Sequence, residues 1–372
     1  MTMLFSDGQA PTSVLVVEDA DAVRASIRAM IEAGGGFDVV GEARSGFDAI
    51  RATHDLSPDI VVLGLAPMDV RGIELLAYIS AESPRPVVVI SSLGHAGADP
   101  ALATVDFGNI EFVSRPPGSD AATADIMRRR LLNALDAAVH ARIGGLRMNR
   151  ARRAAARARR AAKRASRAGG DAPGEPTRCA IGIAASTGGP RALLEIIPHL
   201  SAELPASVLV VQHMPPLFTS YLAQRLDRSS PLRVKEAIAG ELLKTGVVYL
   251  APGGVHMSLQ RTRGGVSITL EEGEPVWGLR PAADVLFPSI ARHFGPRSVG
   301  VVLTGMGKDG AAGLRTIQEV GGWTGIQDPA TAVVASMPRS AKLYAHAELS
   351  LDRLAEVVNE QAVSRSRPGQ LV

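Results

Sequence analysis

A single cysteine in 372 residues excludes an intramolecular disulfide and any metal site built from several thiolates. That residue, Cys179, heads an apolar run, which points to buried packing and not to a nucleophile. Long apolar runs are missing too: none approaches the ~20 residues that cross a bilayer. Residues 1–13 lack the basic start and apolar core of a signal peptide, so the expected location is the cytoplasm, without membrane insertion. Neither G-x-G-x-x-G nor G-x-x-x-x-G-K-[ST] occurs, which leaves no standard phosphate loop. No internal repeat is visible. Charge is scarce only in the net: 40 basic residues against 37 acidic ones leave +3, so the pI of about 9.2 reflects a local excess. What is present is enough apolar material, 46% of the chain, for two or three packed domains.

After a short tail, 1–12, strand and helix signals alternate through 13–140. Val14 to Val17, Ile60 to Leu63, Val87 to Ile90 and Ile110 to Val113 are short runs with no polar alternation, as in parallel strands buried on both faces. Helical stretches are predicted over 21–33, 46–53, 73–82 and 119–140. The composition then changes. Between 141 and 177 the chain is mostly Ala and Arg, including Arg147, Arg150, Arg152, Arg153, Arg157, Arg159, Arg160, Lys163 and Arg164, and ends in a Gly/Pro-rich break. Such a segment has no apolar face to bury and reads as a basic linker. From 178 to 362 the alternation resumes, with a hairpin-like pair at 255–260 and 266–270, before a last tail, 363–372. The fold class is α/β: two doubly wound parallel-sheet domains, the second carrying a β-hairpin insert.

The chain is organised around Ala180-Ile-Gly-Ile-Ala-Ala-Ser186-Thr-Gly-Gly-Pro190. A serine at a strand-to-helix turn stands clear of the sheet, beside the first N–H groups of a helix, which suits a nucleophile with an oxyanion hole. The same serine could equally be a helix cap. Groups at the carboxyl ends of parallel strands converge. A second strand, 208–212, runs into His213, and a late one, 299–303, into Thr304-Gly-Met-Gly-Lys-Asp309. Ser186, His213 and Asp309 therefore supply a hydroxyl, a base and an orienting carboxylate. Spacing leaves competitors open: His256 also follows a strand, Asp328 could replace Asp309, and Asp309 could merely cap the helix after Gly310.

Ser-Thr-Gly-Gly-Pro at 186–190, Gln-His-Met-Pro-Pro-Leu-Phe-Thr at 212–219 and Ala-Pro-Gly-Gly-Val-His-Met at 251–257 resemble the chemotaxis protein-glutamate methylesterase/protein-glutamine glutaminase family. So do Arg-Pro-Ala-Ala-Asp-Val-Leu-Phe at 280–287, Leu-Thr-Gly-Met-Gly-Lys-Asp-Gly at 303–310 and Gln-Asp-Pro-Ala-Thr-Ala-Val-Val-Ala-Ser-Met-Pro at 327–338. The resemblance implies a Rossmann-like domain that hydrolyses glutamate methyl esters on the cytoplasmic helices of chemoreceptors, extending to receptor glutamines. It puts the nucleophile on Ser186, the base on His213 and the carboxylate on Asp309, with Thr187 and Met306 beside the oxyanion and His256 in a structural or rim position. It calls for no cofactor and no metal, and its partners beyond the receptor are a chemosensory kinase or adaptor.

The first domain resembles the flavodoxin-like phosphorylation receiver of that family, with Glu18-Asp19 after the first strand, Ser91 after the fourth and Arg115 after the fifth. Two departures stand out. Gly64 occupies the phosphoacceptor aspartate's position, and Arg115 replaces a lysine. Asp59 and Asp69 lie nearby in sequence but before and beyond the position that matters. The expectation is a receiver-like domain that takes no phosphoryl group. Two rival functions are a scaffold protein that keeps the fold without activity, against which Ser186, His213 and Asp309 argue, and nucleic-acid binding through the Ala/Arg stretch, less favoured than a solvated spacer.

Overall fold

The computed structural model describes residues 11–65, 72, 75–76, 78–79, 83–91, 109–115, 120–139, 177–216 and 218–366. The chain divides into two compact units, Met1–Leu146 and Arg147–Val372. The basic stretch expected at 141–177 lies outside the described residues except for Thr177, and Asp69 is outside them as well.

The first unit holds five parallel strands, β1 (Thr12–Val17), β2 (Phe37–Ala43), β3 (Ile60–Leu65), β4 (Val87–Ser91) and β5 (Ile110–Ser114), in the order β2-β1-β3-β4-β5. The apolar runs are strands because each is covered on both faces. Val14, Val16, Ile60, Val62, Val88 and Ile90 form one core layer with Ile27 and Ile31 of the helix Asp21–Glu32 and with Leu131 and Leu135 of the helix over 121–139. β2 is an edge strand, and its alternating buried and exposed residues follow from that position.

The second unit is a parallel sheet of seven strands. They are β6 (Ala180–Ala185), β7 (Ser207–Gln212), β8 (Arg233–Glu236), β9 (Val247–Leu250), β12 (Ser298–Val302), β13 (Trp323–Gln327) and β14 (Ala347–Leu349). Their order is β14-β13-β12-β6-β7-β9-β8, so successive connections run to one side of β6 and later ones to the other. Such a reversal opens a crevice at the carboxyl ends of the central strands. The antiparallel pair β10 (His256–Thr262) and β11 (Gly265–Glu271) is the hairpin insert. β8, β14 and the short helix Ser336–Ala341 were not anticipated from sequence. The last helix, Leu351–Ser366, runs four residues past 362.

Two helices behind the crevice matter for the site. Ala283–Phe294 and Ala311–Glu319 approach each other closely at Gly313, where a Cβ would lie 2.6 Å from Phe287 Cβ. Phe287 also fills the space above Gly182 in β6. Cys179 is fully buried at the start of β6, and burial pushes its thiol up to about 12. Among the described residues no helix is long and apolar enough to cross a membrane.

Candidate active site

β6 delivers Ser186 at the central turn. Its N–H donates to Thr304 O at 3.0 Å, and its carbonyl accepts from Gly189 N at 2.7 Å and from Gln212 Nε2 at 3.0 Å. Gly188 sits at φ 75°, a left-handed conformation open to glycine at little cost, and so turns the strand into the helix Gly189–Ile196. β7 delivers His213, whose N–H donates to Ala185 O at 3.0 Å, setting residue 213 alongside the end of the strand that carries Ser186. Gln212 ties the two turns together, because its Nε2 also donates to His213 O at 3.1 Å.

The loop after β12 delivers the carboxylate. Asp309 Oδ2 lies 2.7 Å from His213 Nε2, and both side chains are buried. Burial alone would raise the Asp309 pKa, but the hydrogen bond and charge of His213, with the N–H groups of Ala283 and Asp284, outweigh it and hold the carboxyl below the usual aspartate range. Those two N–H groups, at 2.7 and 2.9 Å, open the helix Ala283–Phe294. Asp309 thus caps a helix, but not the one that follows it. With Nε2 committed to Asp309, the buried Nδ1 of His213 has no hydrogen-bond partner among the described residues.

The competitors lie elsewhere. His256 begins β10, and its Nε2 faces Glu274 O at 3.0 Å. Asp328 folds back on its own turn, accepting from Ala330 N at 2.8 Å. Of the residues expected beside the oxyanion, Thr187 is buried next to Ser186, and its carbonyl accepts from Thr304 Oγ1 at 2.9 Å. Met306 lies half-buried on the β12 loop. Sequence reasoning passed over Gln212, Thr304 and Gln327, whose Oε1 accepts from Thr304 N at 2.9 Å. Their only signal is a polar side chain closing an otherwise apolar strand.

In the first unit, Glu18, Gly64 and Arg115 come together, with Asp19 at the exposed edge, its side chain hydrogen-bonded to Glu18. Asp19 faces solvent, while Glu18 is buried with Oε1 accepting from Ala20 N at 3.2 Å and Oε2 3.5 Å from Arg115 Nη2. A Cβ on Gly64 would meet Glu18 Oε2 at 2.1 Å, so the glutamate occupies the space that an acceptor side chain would enter. Ser91 is buried at the end of β4, whose Ile90 pairs with Gly64. Asp59 is at the other end of the sheet, accepting from Ser13 N and Oγ at 3.0 and 2.8 Å. A receiver fold implies a Mg²⁺ ion held by several carboxylates. The residues here do not fit one: the 64 position offers no oxygen ligand, and the buried carboxylate is already shared with a guanidinium.

The CheB methylesterase family model matches residues 181–358, and the response regulator receiver domain model matches residues 14–126. A protein-glutamate methylesterase/protein-glutamine glutaminase of Symbiobacterium thermophilum is 41% identical over 333 residues, covering 89% of this chain and 91% of its own. The chain belongs to the protein-glutamate methylesterase/protein-glutamine glutaminase family. A relative of the same name from Pyrococcus horikoshii is 37% identical over 328 residues, 88% of this chain and 87% of its own. The CheB methylesterase catalytic domain of Thermotoga maritima is 41% identical and covers 50% of this chain and 98% of its own, with a TM-score of 0.49. The chain is thus an enzyme of the methylesterase class, a hydrolase of chemotaxis with a two-component receiver domain ahead of its catalytic one.

Proposed function

We propose that this enzyme is a serine hydrolase that removes methyl groups from glutamate γ-methyl esters on the cytoplasmic helices of chemoreceptors, and that it also deamidates receptor glutamines. The observation that carries the reading is the buried His213–Asp309 pair, 2.7 Å apart, at the strand-end crevice that also presents Ser186. Ser186 Oγ attacks the ester carbonyl carbon while His213 Nδ1 takes its proton. The carbonyl oxygen becomes an oxyanion, which we assign to the backbone at Thr187 and Met306. The intermediate collapses by breaking the carbon–methoxy bond, and His213 returns the proton so that methanol leaves. Water, deprotonated by the same imidazole, then splits the glutamyl-serine ester, giving free glutamate and Ser186. Asp309 fixes the ring and offsets the imidazolium charge.

The receiver-like domain takes no part through an acyl phosphate, since Gly64 offers no carboxylate and Glu18 lies over it. Activity is set instead by binding of a partner, a chemosensory kinase or adaptor, or is left unregulated, in the cytoplasm. Nucleic acid is not among the partners, and 141–177 serves as a spacer between the domains. The decisive measurement is methanol release from a peptide carrying a glutamate γ-methyl ester. The parent should release it and Ser186→Ala should not; equal release by both would sink the serine mechanism.

A further inference from the structure

The two helices behind the crevice exchange carboxylates. Asp309 precedes the helix Ala311–Glu319 yet caps the helix Ala283–Phe294, through Ala283 N and Asp284 N. Asp284, in the first turn of Ala283–Phe294, returns the contact: its Oδ1 accepts from Gly310 N at 3.0 Å and Gly313 N at 2.8 Å, which open the helix that follows Asp309. Neither helix has a capping side chain of its own, since Ala282 and Gly310 stand at the cap positions. Each carboxylate therefore satisfies orphan N–H groups of the other's helix and faces the positive end of its dipole.

The second oxygen of Asp284 is also used. Trp277 Nε1 donates to Oδ2 at 2.8 Å, although the Trp277 ring is half exposed and its backbone sits at φ 56°. Lys308 Nζ lies 3.7 Å from the centre of that ring. The residue just before Asp309 is thus held to the same cluster from outside. A continuous chain of hydrogen bonds runs from the exposed indole through Asp284, its backbone N–H and Asp309 to the His213 ring.

We infer that Asp284 is a positioning residue for hydrolysis: it pins the start of the helix Ala311–Glu319 and so fixes the carboxylate two residues earlier against His213 Nε2. The inference rests on the reading of Ser186, His213 and Asp309 as the relay. Its physical basis is that Asp309 sits on a loop with glycines at 305, 307 and 310, whose backbone would otherwise choose among several conformations. Every bond that Asp284 makes with its side chain is an accepted one, as an ionised carboxylate requires. The charged groups around it are Asp309 beside it and Lys308 across the indole.

The test measures kcat and KM on a peptide carrying a glutamate γ-methyl ester, for the full chain and for Asp284→Asn, Asp284→Ala and Trp277→Phe, with Ser186→Ala as reference. Displacing a carboxylate by about 1 Å costs a relay on the order of 10²-fold. Asp284→Asn and Asp284→Ala, folded by circular dichroism, should lose about 10- to 100-fold in kcat with KM little changed. The acid limb of kcat/KM should move to lower pH, because an imidazolium with a misplaced counter-charge gives up its proton more readily. Trp277→Phe keeps the ring under Lys308 but removes the donor to Oδ2, and should lose kcat in the same direction by a smaller factor. A folded Asp284 variant with parental kcat and pH profile, or with only a lower melting temperature, overturns the inference. Should both Asp284 variants fail to fold, a parental Trp277→Phe overturns it instead. Ser186→Ala with full turnover would mean that the relay itself was misread, a separate failure.

Discussion

In the proposed relay His213 spends Nε2 on Asp309, and Nδ1, which has no hydrogen-bond partner among the described residues, is the ring nitrogen assigned to take the Ser186 proton. The tautomer this demands carries its hydrogen on Nε2, and ¹⁵N NMR of His213 should find it there at neutral pH. Ser186→Ala and His213→Ala should each reduce ester hydrolysis to background, because members of one relay fail together. His256→Ala should keep turnover and lose only about 1 kcal/mol of stability, the order of its bond to Glu274 O. Asp309→Asn should fold but run about 10⁴-fold slower, since an amide orients the ring without offsetting its charge. The pH behaviour follows from the depressed Asp309. A carboxyl held below its ordinary value contributes stability above that value and loses it as pH falls through the folded one, so Asp309 stays ionised well into the acid range. The acid limb of kcat/KM is therefore not set by Asp309 losing its charge, and Asp309→Asn should shift that limb, because the carboxylate facing the His213 ring is gone. A limb that stays in place would separate Asp309 from the base.

The helices and strands of the crevice differ in how far local sequence disclosed them. β6, β7 and β12 are continuous apolar runs because they lie in the middle of the sheet, and a run of that kind needs no partner to be recognised. β8, with the sequence Arg-Val-Lys-Glu, and β14, with Ala-Glu-Leu, are edge strands only four and three residues long, and their polar character follows from solvent on one side. Ser186, His213 and Asp309 were legible as residue types at strand ends, but that His213 and not His256 pairs with Asp309 is seen only in the fold. Asp284 lies within the 280–287 family motif, but nothing local disclosed its role: its partners are Trp277, Gly310 and Gly313, and only helix packing unites them. That packing depends on Gly313. A Cβ there meets Phe287 Cβ at 2.6 Å, and Cβ cannot swing aside as a side-chain tip would. Gly313→Ala should cost about 1–3 kcal/mol in denaturant unfolding. A parental midpoint would show that the two helices can part without loss.

Two properties belong to the molecule as a whole, its alkaline stability and its response to phosphodonors. Burial raises Cys179 from an ordinary value near 9 and Tyr249 from one near 10, each to about 12. A raised folded value means that the stability is fully present below the unfolded one and is lost as pH climbs toward the folded one. The catalytic unit should therefore weaken between about pH 9 and 12, on the order of 4 kcal/mol from Cys179 alone at 1.36 kcal/mol per unit. Cys179→Ala should flatten that slope in urea titrations across the range. The receiver-like unit poses the opposite case, a receiver fold with Gly64 and Arg115 where the family resemblance implies an aspartate and a lysine. Glu18 is buried, and burial together with a hydrogen bond to the Asp19 side chain holds its pKa up against the opposing pull of Ala20 N and Arg115. Arg115 contributes a planar fork where a receiver has a compact ammonium, and the two are not interchangeable at a tight site. Gly64 offers no carboxylate, and Glu18 Oε2 lies 2.1 Å from where a Cβ at 64 would be, so the tip of the glutamate stands where an acceptor side chain would enter. Incubation with acetyl phosphate and Mg²⁺ should leave both the esterase rate and the intact mass unchanged. A rate increase with one phosphoryl group on residues 13–118 would mean that another side chain had taken the acceptor's place. Gly64→Asp sharpens the test: the new carboxylate can enter only by driving Glu18 off Arg115, so phosphorylation of that variant, against none in the parent, would locate the lost switch at this one residue.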